Sequence, residues 1–100
     1  MPVTLAIRYS VADADVGMTE VKRARGMWMK AGAKAFRSHQ FFTGAFVTEW
    51  LFHIDFDDFT HLQKCRDGVQ SSDDMKTINA NNRKAGNKLI GREVLLSLDV

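Results

Sequence analysis

The sequence is short of cysteine: Cys65 stands alone, so no intrachain disulfide can close, and without a CxxC pair there is neither a thiol-exchange motif nor a cysteine zinc site. That usage fits a reducing compartment, and the expected location is the cytoplasm. Long apolar runs are missing as well. Nothing approaches the roughly 20 residues needed to span a bilayer, and the start, Met1 to Arg8, has no basic segment followed by the apolar core of an export leader, so no membrane partner is expected. Charge of one sign is lacking too. With 14 basic against 12 acidic residues, a formal balance of +2, there is no electrostatic case for nucleic acid. No HxxxH or HxH pair occurs, which leaves no metal-ligand spacing to build on, and nothing marks an axial haem ligand. Neither a metal nor a cofactor is expected. Repeats, linkers and low-complexity tracts are absent.

What is present is an ordinary globular composition in 100 residues, 45% hydrophobic and 26% charged. That is enough for one core and too little for two, so residues 1–100 are expected to form a single domain. Val3, Leu5, Ile7 and Tyr9 alternate with Thr4, Ala6 and Arg8 and predict a strand. Asp13 and Asp15 suit the positive start of a helix carrying Val21, Ala24, Trp28 and Ala31 at helical spacing, with Gly32 as its stop. The aromatic stretch 34–43, holding Phe36, Phe41 and Phe42, predicts a second strand. Ala45 to Phe56 predicts a third, central one. Asp57 and Asp58 cap a short helix with Phe59, Leu62 and Cys65 that Gly68 should interrupt. Ser71 with Asp74 resembles a capping box and opens a further segment with Met75 and Ile78 that ends near Gly86. Leu89 to Leu98 predicts the last strand, with Arg92 breaking its apolar parity.

The order βαββαβ is the split βαβ, ferredoxin-like pattern: α+β, with a four-stranded antiparallel sheet and both helical segments on one face. The more apolar parity puts Val3, Leu5, Ile7, Trp50, Phe52, Ile54, Val94 and Leu96 in the core. Ala6, Arg8, Arg37, His39, Phe41, Glu49, Leu51, His53, Asp55, Glu93 and Leu95 remain for the open face. A one-residue slip in the second strand would exchange Arg37 and His39 for Ser38 and Gln40. The open face is too apolar for water and too polar for a dry core. Pairing with a second copy would cover it and leave a partly polar cavity between subunits.

The run Trp50-Leu51-Phe52-His53-Ile54-Asp55-Phe56 leading into Asp57-Asp58-Phe59, then Ser71-Ser72-Asp73-Asp74-Met75 opening the second helical segment, resembles the dimeric α/β barrel superfamily, most closely its NIPSNAP-like and uncharacterised branch. Ile54 stands where relatives often carry tryptophan. The resemblance covers essentially the whole chain and implies the fold and a homodimer. Its members include cofactor-free monooxygenases, isomerases, haem-dependent enzymes and proteins of unknown role, so it does not decide the reaction.

On the open face, His53, His39 and Arg8 are the catalytic candidates: His53 as a general base, flanked by aromatic residues where burial would tune its proton equilibrium, and Arg8 as a stabiliser of a developing oxyanion. Glu49, Leu51, Phe41 and Asp55 are the candidate substrate contacts. The plainer reading makes the same residues interface hydrogen-bonders. His61 is expected on a helix surface, and Cys65 as a small buried hydrophobe. Gly44-Ala45-Phe46-Val47 echoes the third-strand signature of RNA-recognition modules, yet Thr43 replaces the expected basic residue and Glu49 the stacking aromatic. Two functions stay open: an enzyme, as a cofactor-independent monooxygenase or isomerase acting on a small apolar organic molecule, or a non-catalytic binding or structural dimer.

Overall fold

Period-two alternation and helical spacing compete along the chain, and in the computed structural model, which describes residues 1–99, they resolve into seven elements. These are β1 (Val3–Ser10), α1 (Ala14–Lys30), β2 (Ala35–Gln40), β3 (Glu49–Phe56), α2 (Phe59–Gln70), α3 (Asp73–Ala85) and β4 (Lys88–Leu96). The strands form one antiparallel sheet in the order β2-β3-β1-β4. This is the expected α+β, ferredoxin-like arrangement, with the second helical segment split in two.

Caps set the helix boundaries. Asp13 accepts the Val16 N–H at 3.1 Å, Asp58 the His61 N–H at 2.8 Å and Ser72 the Met75 N–H at 3.2 Å. Gly86, at φ 83°, ends α3 in the left-handed region that glycine enters without steric cost. Gly68 does not interrupt α2: a helical glycine costs only about 1 kcal/mol, and the helix continues to Gln70. The break falls at Ser71, and Ser72 caps α3 in place of the Ser71 and Asp74 pair because its extended backbone aims the hydroxyl at the next turn.

The register divides the side chains as alternation implies. Val3, Leu5, Ile7 and Tyr9 of β1 face the helices beside Phe56, Ile54, Phe52 and Trp50 of β3. Phe36 joins them from β2, which places Arg37 and His39 on the open face and settles the slip. The core forms from Val3, Ile54, Phe56, Trp28, Cys65, Val69 and Ile78, all almost fully buried. Each side chain of this size stabilises the fold by roughly 1.5–3 kcal/mol through burial. Three strands are shorter than expected. Phe41 leaves β2, and residues 45–48 turn before β3 begins, the Glu49 N–H bonding back to Phe46 O at 2.8 Å. β4 stops at Leu96, although the Ser97 N–H still reaches Pro2 O at 3.3 Å.

Val94 and Leu96 lie on the helix side but are 44% and 49% exposed, which corrects their expected place in the core. The reason is architectural: β4 is an edge strand, and α3 packs chiefly on α1 and stands away from the sheet. The gap this leaves is the main feature of the molecule.

Candidate functional site

The gap is a cavity of about 400 Å³ between the helix layer and the sheet. Its floor is Leu5, Ile7, Tyr9, Trp50 and Phe52, and its roof is Val21, Ala24, Met27, Trp28, Met75 and Ile78. Gly17 makes room on α1, since a Cβ there would lie 2.9 Å from the Trp50 ring. Asn87, buried in the cavity lining, ties the end of α3 to the start of α1. Its carbonyl accepts the Ala12 and Asp13 N–H groups at 2.8 and 2.9 Å, while its amide donates to Asp13 O and Asn82 Oδ1. Glu20, also buried, is held by Arg23 at 3.0 Å and by the Asn81 amide at 3.1 Å. The mouth is formed by exposed residues, Arg66 and Gln70 of α2, Asn79 of α3, and Arg92 and Val94 of β4. Burial pushes the Tyr9 phenol above its ordinary range, with the Arg92 charge opposing, so Tyr9 is a neutral donor in the cavity wall. Such a chamber, mostly apolar with a few polar groups converging on it, suits a small organic molecule.

The residues expected to act lie on the opposite, open side of the sheet, where they gather into two clusters. In the first, His39 and His53 face each other at 5.4 Å between ring centroids, beside Arg37, which donates to Asp55 Oδ1 at 3.1 Å; Thr4 donates to the same oxygen at 2.7 Å. Desolvation, then the positive charges of Arg37 and His39, lower the His53 pKa, with Asp55 opposing. His53 is therefore neutral at pH 7. In the second, Arg8 Nε meets Glu49 Oε1 at 2.7 Å, both atoms shielded from solvent, under the Phe46 ring 5.1 Å from the guanidinium carbon. Phe41 packs on Phe46 at 5.8 Å. Leu51 lies half-buried between the clusters, opposite Arg8 and His39 in the register.

His61 is tied into the fold: Nδ1 accepts the Asp57 N–H at 2.9 Å and Nε2 lies 2.7 Å from Gly32 O, which puts the proton on Nε2. Cys65 is buried, its thiol donating to Ala31 O at 3.2 Å, and burial raises its pKa, which suits a packing role. No cluster of metal-ligating side chains occurs among the described residues. No described helix is long and apolar enough to cross a membrane.

The cavity residues were missed because tryptophan, tyrosine and methionine at core spacing also describe a filled core. Arg92, a charge on the helix-facing parity of an apolar strand, was the one signal of an opening.

No protein-family model matches the sequence, and a search among curated proteins finds no match. Solved structures do match in fold. SnoaB, a cofactor-independent oxygenase from Streptomyces nogalater, superposes with a TM-score of 0.72 at 9% identity, over 99% of this chain and 95% of that one. A Deinococcus radiodurans protein provisionally named an antibiotic biosynthesis monooxygenase gives 0.70 at 5% identity, over 100% and 95%. An uncharacterised NIPSNAP domain protein from Burkholderia xenovorans gives 0.66 at 11% identity, over 99% and 96%. The chain thus shares the ferredoxin-like fold of these structures. At such identities the likeness is one of fold.

Proposed function

We propose that the protein binds a small, largely apolar organic molecule in the cavity between helices and sheet, and that it works as a homodimer through the open sheet face. One observation carries this reading: a mostly apolar cavity of about 400 Å³, walled by Trp28, Trp50, Phe52 and Ile78, with the exposed Arg66, Gln70, Asn79 and Arg92 also in its lining. A cavity of that size in a 100-residue chain lacks many of the side-chain contacts a close-packed core makes, and an apolar ligand would supply them. The activity this supports is cofactor-independent oxygenation or isomerisation, in line with the name of SnoaB. Such chemistry asks the protein for a dry chamber and a means of holding an ionisable substrate.

The test is binding and turnover together. A panel of one-ring and two-ring compounds should quench the fluorescence of Trp28 and Trp50, the only two tryptophans, both in the cavity wall. Compounds that bind should then be screened for oxygen uptake and for isomerised product. Ile78→Trp, which narrows the chamber, should weaken binding, read by calorimetry because the variant adds a third tryptophan. Panel compounds binding equally to the narrowed variant, whatever their size, would rule the cavity out.

A second reading has its own observation, the neutral His53 and shielded Arg8 on the open face. In it His53 takes a proton and Arg8 steadies an oxyanion between two copies, with His39 beside the base and Glu49, Leu51, Phe41 and Asp55 around the substrate. Glu49 is engaged by Arg8 and would act by orienting it. Under this reading His53→Ala loses turnover at unchanged ligand affinity. Loss of dimerisation with no activity in any variant would favour the non-catalytic dimer.

A further inference from the structure

We infer that the cavity's ligand is an organic anion, with its apolar body against Trp28 and Trp50 and its acidic group at the mouth between Arg66 and Arg92. This rests on the cavity reading above and adds the ligand's charge. Arg92 projects from the helix-facing side of β4, paired in the register with Ile7 and diagonal to Tyr9. Arg66 reaches the same cavity from α2. Neither takes part in any ion pair among the described residues, whereas Arg8, Arg23 and Arg37 all do. The one carboxylate in the cavity wall, Glu20, is already occupied by Arg23 and Asn81.

Two uncompensated guanidinium groups at the mouth of an apolar chamber create a positive potential where a ligand's polar end must sit. Guanidinium donors match a carboxylate, or the oxygen of an ionised enol or phenol, in both charge and geometry. The neutral Tyr9 hydroxyl is a further donor on the same wall. A neutral ligand could still accept from a guanidinium through a carbonyl, but it would gain no attraction between opposite charges and no bidentate carboxylate pair. A cation would be repelled.

The experiment compares naphthalene-2-carboxylate with naphthalene-2-carboxamide by calorimetry at low salt, on the wild type and on R66Q, R92Q and the double variant. The two probes share size and ring system and differ in charge. The carboxylate should bind roughly tenfold more tightly, the scale of one charge-assisted hydrogen bond. That advantage should shrink in each single variant, vanish in the double variant, and weaken as salt rises. Affinity for the amide should fall less than that for the carboxylate in every variant, since the amide presents no charge to the two arginines. Equal affinity for both probes in the wild type, or an advantage that survives loss of both arginines, overturns the anion inference and leaves the cavity reading standing. Failure of both probes to bind overturns both.

Discussion

Two helical glycines in α1 separate space from propensity. At Gly26 a Cβ would meet nothing within 4 Å, so Gly26→Ala should follow ordinary helix propensity and stabilise the protein by about 0.5–1 kcal/mol in denaturant titration. At Gly17 the same change sets a methyl 2.9 Å from the Trp50 ring and 3.3 Å from Val11. The propensity gain is then opposed by a steric cost of roughly 1–3 kcal/mol, and Gly17→Ala should destabilise, shift the tryptophan emission and weaken cavity ligands. Equal stabilisation by both would mean that Trp50 does not lie where it is described. His53 permits a comparable argument through pH. Its native pKa is held below the ordinary 6.5, so the unfolded chain takes up the proton first. Stability should therefore fall as pH drops from about 6.5 towards the lowered native value, and the residue should contribute no such dependence above that window. Replacing His53 with Gln should flatten the slope between pH 5 and 7, measured as the difference from wild type so that the carboxylates cancel.

Among the elements, the junction of α1 with α3 bears most on the cavity, because α3 holds its place over the sheet through α1. Asn87 makes four hydrogen bonds there, and two of the groups it satisfies are the Ala12 and Asp13 N–H groups at the start of α1. Asn87→Ala leaves those part-buried N–H groups without their acceptor and should cost about 1–3 kcal/mol, and Asn87→Asp, which keeps that acceptor but turns a carboxylate oxygen on Asp13 O and Asn82 Oδ1 at a buried site, should cost at least as much. Thermal melts would resolve the two. This junction also marks how far the sequence could be read. Alternation in β1 and β3 and the aspartates before α1 and α2 placed the sheet, its two faces and the helix starts, because each signal is local and strong. Gly68 misled because its helix cost is small beside tertiary packing, and Ser72 overtook Ser71 because caps are chosen by backbone angle. Val94 and Leu96 misled for a longer-range reason: their parity is correct, but no local pattern records that α3 would leave β4 uncovered. The open-face residues His39, His53, Arg8 and Glu49 were legible as a face. The chamber behind it was not, since emptiness has no sequence signature.

For the whole molecule the question is what covers the open face. The chain has 6628 Å² of accessible surface, whereas a folded monomer of 11.3 kDa is expected to show roughly 5,700 Å². The excess of roughly 900 Å² is close to the ~800 Å² that each partner contributes to a standard interface. The apolar side chains to be covered include Phe46 and Leu95 beside the open face and Leu89 and Ile90 on the exposed edge strand. An uncovered edge of this kind invites association. Sizing by light scattering at tens of micromolar should therefore give about twice the chain mass. Leu95→Glu, which sets a carboxylate next to Glu93 on the same strand, should shift the protein to the monomer. Because Leu95 points away from the cavity, the variant should still bind cavity ligands. Two results would separate the alternatives: a wild type that stays monomeric removes the dimer and with it any site between copies, while a monomeric Leu95→Glu variant that binds ligand but has lost turnover would move the chemistry from the chamber to the shared sheet face.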